Sequence, residues 1–547
     1  MIAGMRGRRL AGLLLELAPA GFAVVAFGAG AVMLTSSVAP SFSDRLRLLA
    51  EAAPILVIEL SHFLASVVGF LLLVVAAGLW RRRRGAYWLA LGLLLAGAVF
   101  SLLKGLDVEE AAILAGAGAA LAPFRRAFDR PSRLAEVAVS RGGLPLVAAV
   151  VAAALWLGFF AYRDVAYTDE LWWTFLRNAE VSRFLRAGAA LAILTLVLTV
   201  WVLLSAPDVR RRGRPRPEAV EDAVRALAAA DQAGPQAWLA AVGDKDLLFS
   251  PSGGSFITFR VRGRRWIAMG EPAGRAAEFG ELMWRFAQEA DRGGGKSVFY
   301  AVSPALLPEL AAMGMVLRKV GENAVVDLAR FSLEGPARQD LRTARNRLGR
   351  EGCAVEVLPP GSAAALEGEL RAVSDAWLRG RRASEKAFSL GRFDVGYLNR
   401  VPLAVVKAQG RIAAFANLLP APARSEVAVD LMRHAPDAPK LAMDFLFLGA
   451  IEWASAEGFA RFNLGMTPLA GLDDRRLAPA FARVGAFVFE EGGALYGFRS
   501  LRAFKAKFGP DWEPVFMAAA PGVPMTWALL DVALLTSGGW RGLLGLR

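Results

Sequence analysis

Cysteine and histidine are almost absent from this sequence of 547 residues. Its single cysteine, Cys353, excludes an intrachain disulfide and any zinc site built mainly from thiolates. His62 and His434 are the only histidines, so a metal centre of imidazole ligands is not expected either. Acidic residues are also outnumbered, with 50 Asp and Glu against 64 Lys and Arg and a net charge of +14. Because 55% of the residues are hydrophobic, this positive charge points to anionic lipid, nucleic acid or both as partners.

Long apolar runs are concentrated in the first 209 residues. A helix needs roughly 20 apolar residues to cross a bilayer. We therefore predict a membrane domain, 1–209, that is all-α with about six transmembrane helices: Leu10–Val38, Ala53–Trp80, Ala86–Leu103, Val108–Pro123, Gly143–Tyr162 and Phe184–Ser205. The next run is the moderately apolar tail Met525–Leu546, which either lies on the membrane or packs on the protein core.

Arginine clusters lie at alternate ends of these spans. They precede the first span and follow the second, fourth and sixth, the last at Arg210–Arg212. By the positive-inside rule, both termini and the region after the spans are predicted to face the cytoplasm.

The region after residue 209 alternates strand and helix patterns. Val401–Ala408 and Ile412–Leu419, for example, form a predicted hairpin, and Met315–Val320 and Ala324–Leu328 are predicted as two separate strands. The rhythm repeats, which indicates a duplicated α/β domain. We predict a first unit over 210–336, a basic connecting helix over 337–352 and a second unit over 353–547.

The connecting helix is rich in arginine. Arg338, Arg342 and Arg345 recur at spacings of four and three, so they can share one helical face. Such a face suits the phosphates of tRNA or of lipid headgroups. A solvated face with no ligand is the alternative.

Several short blocks occur in order between about residues 220 and 520. They are Gly243–Lys245, Gly270–Pro272, Glu385–Asp394, Asp430–Arg433, Met443–Phe447, Phe462–Met466, Leu501–Phe508 and Trp512–Glu513. Together they resemble the cytoplasmic catalytic region of the bacterial phosphatidylglycerol lysyltransferases, also called multiple peptide resistance factors.

The resemblance implies a fold of two tandem acetyltransferase-like (GNAT) units, the second being catalytic. It implies an aminoacyltransferase that moves an aminoacyl group from aminoacyl-tRNA to phosphatidylglycerol. Lysyl is expected first and alanyl second, and arginyl and ornithyl donors stay open. The product is a cationic lipid that confers resistance to cationic antimicrobial peptides. The implied location is the bacterial inner membrane, with no cofactor and no metal. Typical members have about fourteen spans, and the earlier ones form a module that flips lipid. With only six predicted spans, this chain is not expected to keep the lipid-flipping activity.

The chemistry of this transfer suggests roles for individual residues. An aminoacyl ester is already activated, so the enzyme must position two substrates, accept a proton and stabilise an oxyanion. Asp430 or Asp444 is a candidate for the base or for recognition of the donor's α-ammonium, and Asn463 for the oxyanion. Alternatively, Asp444 stabilises the first turn of its helix and Asn463 closes a turn.

Other candidates would bind substrate. Arg433 could hold the lipid phosphate or pair with a nearby acid, and Glu385 and Arg392 flank a loop. Lys505 and Lys507 could hold a phosphate of the lipid or of the tRNA acceptor end, or lie on a solvated face.

Two further functions stay open. One is a related aminoacyl-tRNA-dependent transferase with another acceptor, such as a peptidoglycan precursor or another lipid. The other is a lipid translocator with a regulatory soluble half, which Glu59 and His62 in the second span would suit.

Overall fold

The computed structural model describes residues 2–36, 55–105, 107–130, 215–381, 385–491 and 498–543. These residues form two compact units, which divide at residues 210 and 211 apart from a three-residue segment at 292–294.

The described part of the N-terminal unit is helical. Its helices are α1 (Ile2–Ser36), α2 (Ile55–Trp80), α3 (Arg84–Gly105) and α4 (Val108–Leu121). Two stretches of the described residues, Leu15–Met33 and Arg84–Leu103, are long and apolar enough to cross a membrane. The four helices coincide with the first four predicted spans, whereas the fifth and sixth lie outside the described residues. The six-span domain therefore stays a prediction.

The described part of the C-terminal unit is built on one eleven-stranded sheet. Its strands are β1 (Asp246–Phe249), β2 (Phe256–Arg262), β3 (Arg265–Met269), β4 (Lys296–Val302), β5 (Val316–Asp327), β6 (Ala354–Leu358), β7 (Leu403–Ala408), β8 (Arg411–Pro420), β9 (Glu426–His434), β10 (Arg461–Pro468) and β11 (Asp511–Ala519). They lie in the order β1-β2-β3-β4-β11-β5-β10-β9-β8-β7-β6. The α/β class predicted for this region is confirmed.

Helices cover both faces of the sheet. They are α5 (Pro217–Ala228), α6 (Phe279–Arg292), α7 (Leu307–Ala312), α8 (Gln339–Arg350), α9 (Glu367–Arg381), α10 (Val395–Leu398), α11 (Ala442–Ala456), α12 (Ala480–Glu491), α13 (Phe498–Ala506), α14 (Met525–Thr536) and α15 (Trp540–Leu543). Alternate residues of a strand point to opposite faces, so Val405 packs in the cluster with α9 and α14, and Val406 in the cluster with α8 and α11.

Strand β5 corrects the prediction of two strands around Gly321. It is continuous because β10 and β11 pair with it on both sides, through Gly321–Asn323. The polar segment favours a turn by composition, yet Glu322 is held there by Lys319 and Arg502. Pairing with two neighbouring strands outweighs the local preference.

The C-terminal strand and helix both return to the first half of the unit. Strand β11 lies between β4 and β5, although its position in the chain predicted that it belongs to the second unit. In α14, Ala528 and Val532 are buried and Asp531 accepts hydrogen bonds from Arg262 and Arg265. Of the two placements left open for the tail, packing on the core is the one observed for α14.

Candidate functional site

The site is built around a fork between two parallel strands. Strands β9 and β10 pair over three residues only, Glu426–Ala428 with Arg461–Asn463. Just beyond, each strand carries a bulge: Asp430 and Leu431 lie opposite Asn417 of β8, and Leu464 and Gly465 lie opposite Ala324 of β5. A bulge redirects side chains and ends regular pairing, and bulges often lie beside active sites. We call this place, β9 from Val429 and β10 from Leu464, the strand fork.

Asp430 is held at the strand fork by groups from two other segments. Its Oδ1 accepts a hydrogen bond from the Gly391 amide (2.8 Å) and its Oδ2 accepts one from the Tyr397 hydroxyl (2.7 Å). Tyr397 is completely buried, and the buried Asn417 accepts from the amide of Leu431 at the bulge. Burial raises the pKa of Asp430 above its ordinary value, because it disfavours the charged carboxylate more than these hydrogen bonds favour it.

Gly391 is required for this approach. A Cβ at position 391 would overlap the Asp430 carboxylate and crowd the Tyr397 ring. The loop is fixed from the other side by Asp394, whose side chain accepts from the Tyr397 amide at the start of α10 (3.0 Å). The position therefore admits glycine because of a close contact, not because of a turn.

A buried ion pair from the segment before β1 joins the same cluster. Lys245 is 1% exposed, and its Nζ donates to Asp244 Oδ1 (2.5 Å) and to the Leu239 carbonyl (3.0 Å). Asp244 Oδ2 accepts from the Phe388 amide (2.8 Å). Burial lowers the pKa of Lys245, against the attraction of Asp244 and of Asp430. Sequence reasoning missed this pair as part of the site, although an adjacent acid and base within a resemblance block was a usable signal.

Arg433 and Glu385, both predicted to bind substrate, contact each other. Arg433 Nη2 donates to Glu385 Oε2 (2.9 Å), and the guanidinium lies 4.0 Å from the centre of the Trp377 ring. Arg433 is 6% exposed and Glu385 is partly exposed. This is the pairing with a nearby acid that the sequence left open as an alternative. Substrate phosphate would have to compete with Glu385 for this arginine.

Lys505 fills the strand fork from the β10 side. Its Nζ donates to the carbonyl oxygens of Gly465 (2.8 Å) and Met466 (3.0 Å), which lie at and just after the β10 bulge. Gly465 has a φ of +86°, which favours glycine. Lys505 is 4% exposed, and burial lowers its pKa to about 7. Lys505 therefore binds two backbone carbonyl groups at the β10 bulge.

Asp444 has a separate environment. It is buried in the first turn of α11 and accepts from Lys507 Nζ (2.8 Å). The helix packs in the apolar cluster that contains Val429, whereas the partners of Asp430 belong to the cluster of the opposite face. Among the described residues, Asp444 therefore pairs with Lys507, whereas Asp430 is bound by Gly391 and Tyr397.

Asn463 and Arg392 hold local backbone. Asn463 donates to Glu426 (2.9 Å) and accepts from the Gly465 amide (2.8 Å), so its side chain closes the β10 bulge. Arg392 donates to the Val242 carbonyl (3.3 Å) beside the Asp244–Lys245 pair.

The three arginines of the connecting segment make contacts within the chain. Arg338, in the turn before α8, donates to the Lys507 carbonyl (2.9 Å), and Arg342 donates to the carbonyls of Leu333 and Gly335. Arg345 pairs with Glu452 (3.3 Å) and lines a groove of about 560 Å³ between α8 and α11. Contact of these arginines with phosphate stays a prediction.

Replacing Lys505 should change how the free energy of unfolding depends on pH. With a folded pKa of about 7 and an unfolded value near 10.4, only the unfolded chain binds the proton between these pH values. Stability should therefore rise with pH in that window, by about 1 kcal/mol per pH unit from this group. We expect Lys505→Met to remove this rise, measured as unfolding midpoints of the purified protein from pH 7 to 10.

The exposed Lys440 supplies the control for that experiment. Lys440→Met should keep the pH profile of the unsubstituted protein. Parallel profiles for all three proteins would contradict the assignment.

The fold and the site first define a class: an α/β protein whose parallel strands β9 and β10 diverge beside a partly exposed, hydrogen-bonded carboxylate and a buried lysine. A family profile described as "Phosphatidylglycerol lysyltransferase, C-terminal" matches residues 224–519, more than half of the chain. The chain belongs to this family.

Individual relatives agree with the match. The chain is 31% identical over 514 residues to the phosphatidylglycerol lysyltransferase of Bacillus subtilis, covering 92% of this chain and 58% of that protein. It is 31% identical over 276 residues to the protein of that name from Staphylococcus aureus (strain N315), which is 50% of this chain and 33% of the relative. The chain thus spans little more than half the length of the first relative and a third of the second.

Two solved structures match the C-terminal unit. One is the C-terminal domain of a proposed lysylphosphatidylglycerol synthetase from Agrobacterium fabrum, 40% identical, with a TM-score of 0.53 over 59% of this chain and 99% of that one. The other is L-PGS from Bacillus licheniformis, 33% identical, with a TM-score of 0.52 over 59% of this chain and 98% of that one.

Proposed function

We propose that this protein transfers a lysyl group from aminoacyl-tRNA to a hydroxyl of phosphatidylglycerol. The observation that carries the proposal is the Asp430 network at the strand fork, where Gly391 and Tyr397 hold the carboxylate, in a chain of this family. The Asp430 carboxylate is partly exposed and its pKa is raised, so it can accept a proton from a bound substrate and return it. The two tandem acetyltransferase-like units are part of the proposal.

The reaction is an ester exchange. The lipid hydroxyl oxygen bonds to the aminoacyl carbonyl carbon, the bond to the tRNA ribose oxygen breaks, and one proton moves from the lipid hydroxyl to the leaving ribose hydroxyl. In our proposal Asp430 accepts and returns this proton. Its bonds from Gly391 and Tyr397 orient it, and Lys245 offsets the charge of the ionised form.

Other groups at the strand fork would bind the substrates. Lys505 keeps the β10 bulge in one conformation. In our proposal Glu385 would bind the donor ammonium group, and Arg433 would release Glu385 and bind the lipid phosphate instead. No step requires ATP or a metal ion, since the donor ester is already activated.

The acceptor places the reaction at a membrane. We infer that the N-terminal unit anchors the protein in the bacterial inner membrane as a multi-pass domain with both termini in the cytoplasm, where aminoacyl-tRNA is found. The apolar helices at Leu15–Met33 and Arg84–Leu103 and the arginine clusters support this. A lysylated lipid carries extra positive charge, so the product would repel cationic antimicrobial peptides.

Lipid mass spectrometry tests the proposal. The full chain would be expressed in a host that makes phosphatidylglycerol but no aminoacylated lipid. We expect a new phosphatidylglycerol species heavier by one lysyl residue, which forms at least about 100-fold more slowly in Asp430→Asn. A species heavier by alanyl would change the donor. Inserted, well-expressed protein without any new lipid would contradict the proposal and favour another acceptor or lipid translocation.

A further inference from the structure

Three large apolar side chains project from the surface in the part of the chain that follows β10 and precedes α13. Leu477 is 94% exposed, Val484 60% and Phe487 67%. Val484 and Phe487 are three residues apart on α12, so they lie on one helical face, and Leu477 lies in the turn that leads into it. We call these three residues the α12 patch.

The rest of α12 is well packed. Ala486 and Phe489 are buried, and Phe481 packs against the apolar cluster that contains Val405. Gly485 fits closely against Leu472, since a Cβ there would overlap the leucine side chain. The helix is therefore docked on the protein through one face, and the α12 patch is the opposite, exposed face.

Charged residues of both signs lie near the α12 patch in the chain, and the exposed acids among them are Asp474 and Glu490. Arg476 and Arg483 are both exposed and lie beside Leu477 and Val484 in the chain. Apolar side chains rimmed by arginine are the pattern of segments that lie at the headgroup–acyl boundary. The connection that carries the patch begins at the end of β10 and leads into α13, and both elements contribute to the strand fork.

We propose that the α12 patch docks on the bilayer surface, with Leu477, Val484 and Phe487 entering the acyl boundary and the two arginines meeting lipid phosphates. The inference rests on the proposed function and deepens it, because an acceptor embedded in the bilayer must reach the strand fork. A second protein copy fits less well, since three protruding side chains provide far less than the ~1,000 Å² that a stable interface buries.

The single cysteine allows a direct test in the full chain. Cys353 is buried, so Cys353→Ala supplies a background in which Phe487→Cys can be labelled with an environment-sensitive fluorophore. The protein would be reconstituted into phosphatidylglycerol-containing vesicles with or without brominated acyl chains. We expect blue-shifted emission that brominated lipid quenches about twofold or more, as for a probe at the acyl boundary. The control is Trp284→Cys, because Trp284 is 50% exposed on α6 and the proposal does not place α6 at the bilayer.

Each other outcome overturns the proposal. A probe at 487 that is not quenched shows that the α12 patch stays in water. Equal quenching at 487 and 284 shows no preferred docking face. A blue shift without quenching by brominated lipid shows cover by protein, from a second copy or another partner. None of these readings depends on catalysis, so they remain valid if the proposed transfer fails.

A kinetic arm then ties docking to function. For the double variant Leu477→Glu, Phe487→Glu, we expect the apparent KM for vesicle phosphatidylglycerol to rise about tenfold or more, since two apolar side chains that would enter the acyl boundary become charged. Transfer to a short-chain, monomeric phosphatidylglycerol should keep its rate. An equal loss with both acceptors would indicate a structural defect and overturn the proposal.

Discussion

Asp430→Asn should lower the rate of lysyl transfer by about 100-fold or more, because general-base catalysis typically contributes 10²–10⁴-fold. Asparagine has the same shape and can keep both hydrogen bonds: its oxygen accepts from Gly391, and its amide can donate to the Tyr397 hydroxyl. The fold should therefore persist while the proton acceptor is lost. The measurement is the rate of labelled lysine transfer from lysyl-tRNA into extracted lipid, together with the unfolding midpoint.

Asp437 provides the matched control. It is an exposed aspartate three residues beyond the end of β9, and Asp437→Asn should leave the rate unchanged. Full activity in a folded Asp430→Asn protein would remove Asp430 as the base and shift attention to Asp444 with its Lys507 partner.

Gly391→Ala should reduce the transfer rate by a similar factor through geometry alone. The added methyl group would overlap the Asp430 carboxylate, so either the loop or the carboxylate must move. A displacement near 1 Å at a reacting group can cost about 100-fold in rate. Overpacking should also cost about 1–3 kcal/mol of stability. Both the transfer rate and the unfolding free energy would be measured.

Gly368 separates this effect from a general loss of glycine. It lies on α9, where an added methyl group would meet no heavy atom within 4 Å, so Gly368→Ala should leave the rate intact and slightly favour the helix. A Gly391→Ala protein with normal kinetics would mean that the Asp430 position is not set by this contact.

The site joins both halves of the C-terminal unit. Lys245 and Asp244 come from the segment before β1, yet they contact the loop at Phe388 and interact with the charge of Asp430 on β9. If one member of this buried ion pair were removed, the other would remain as a buried charge without a partner. The first half of the unit is thus part of the catalytic environment in our proposal.

The sequence identified the polar members of the site better than their partners. Asp430, Arg433 and Glu385 stand out because they are charged residues in resemblance blocks, and the structure clusters them with one another or with close neighbours. Tyr397 and Trp377 do not stand out, because an aromatic residue in a helix pattern is most often core. Their roles depend on which strand each helix covers, and no local pattern contains that.

Local patterns determined much of this protein. Apolar runs predict the helices of the N-terminal unit, and period-two and helical patterns predict most strands and helices after residue 215. These features depend on neighbouring residues only, since burial of one face requires a repeat matched to the backbone. The blocks of the C-terminal region were also sufficient to identify the family.

Tertiary structure alone decided how these elements meet. Residues three apart on a regular strand point to opposite faces, yet the β9 bulge turns Asp430 and Arg433 toward the side that carries α9 and α10. Strand β11 inserts between β4 and β5, and Arg338, Arg342 and Arg345 contact different parts of the chain instead of forming one open face. Each outcome depends on long-range pairing and on competition among distant groups for the same partner, which residue spacing does not specify.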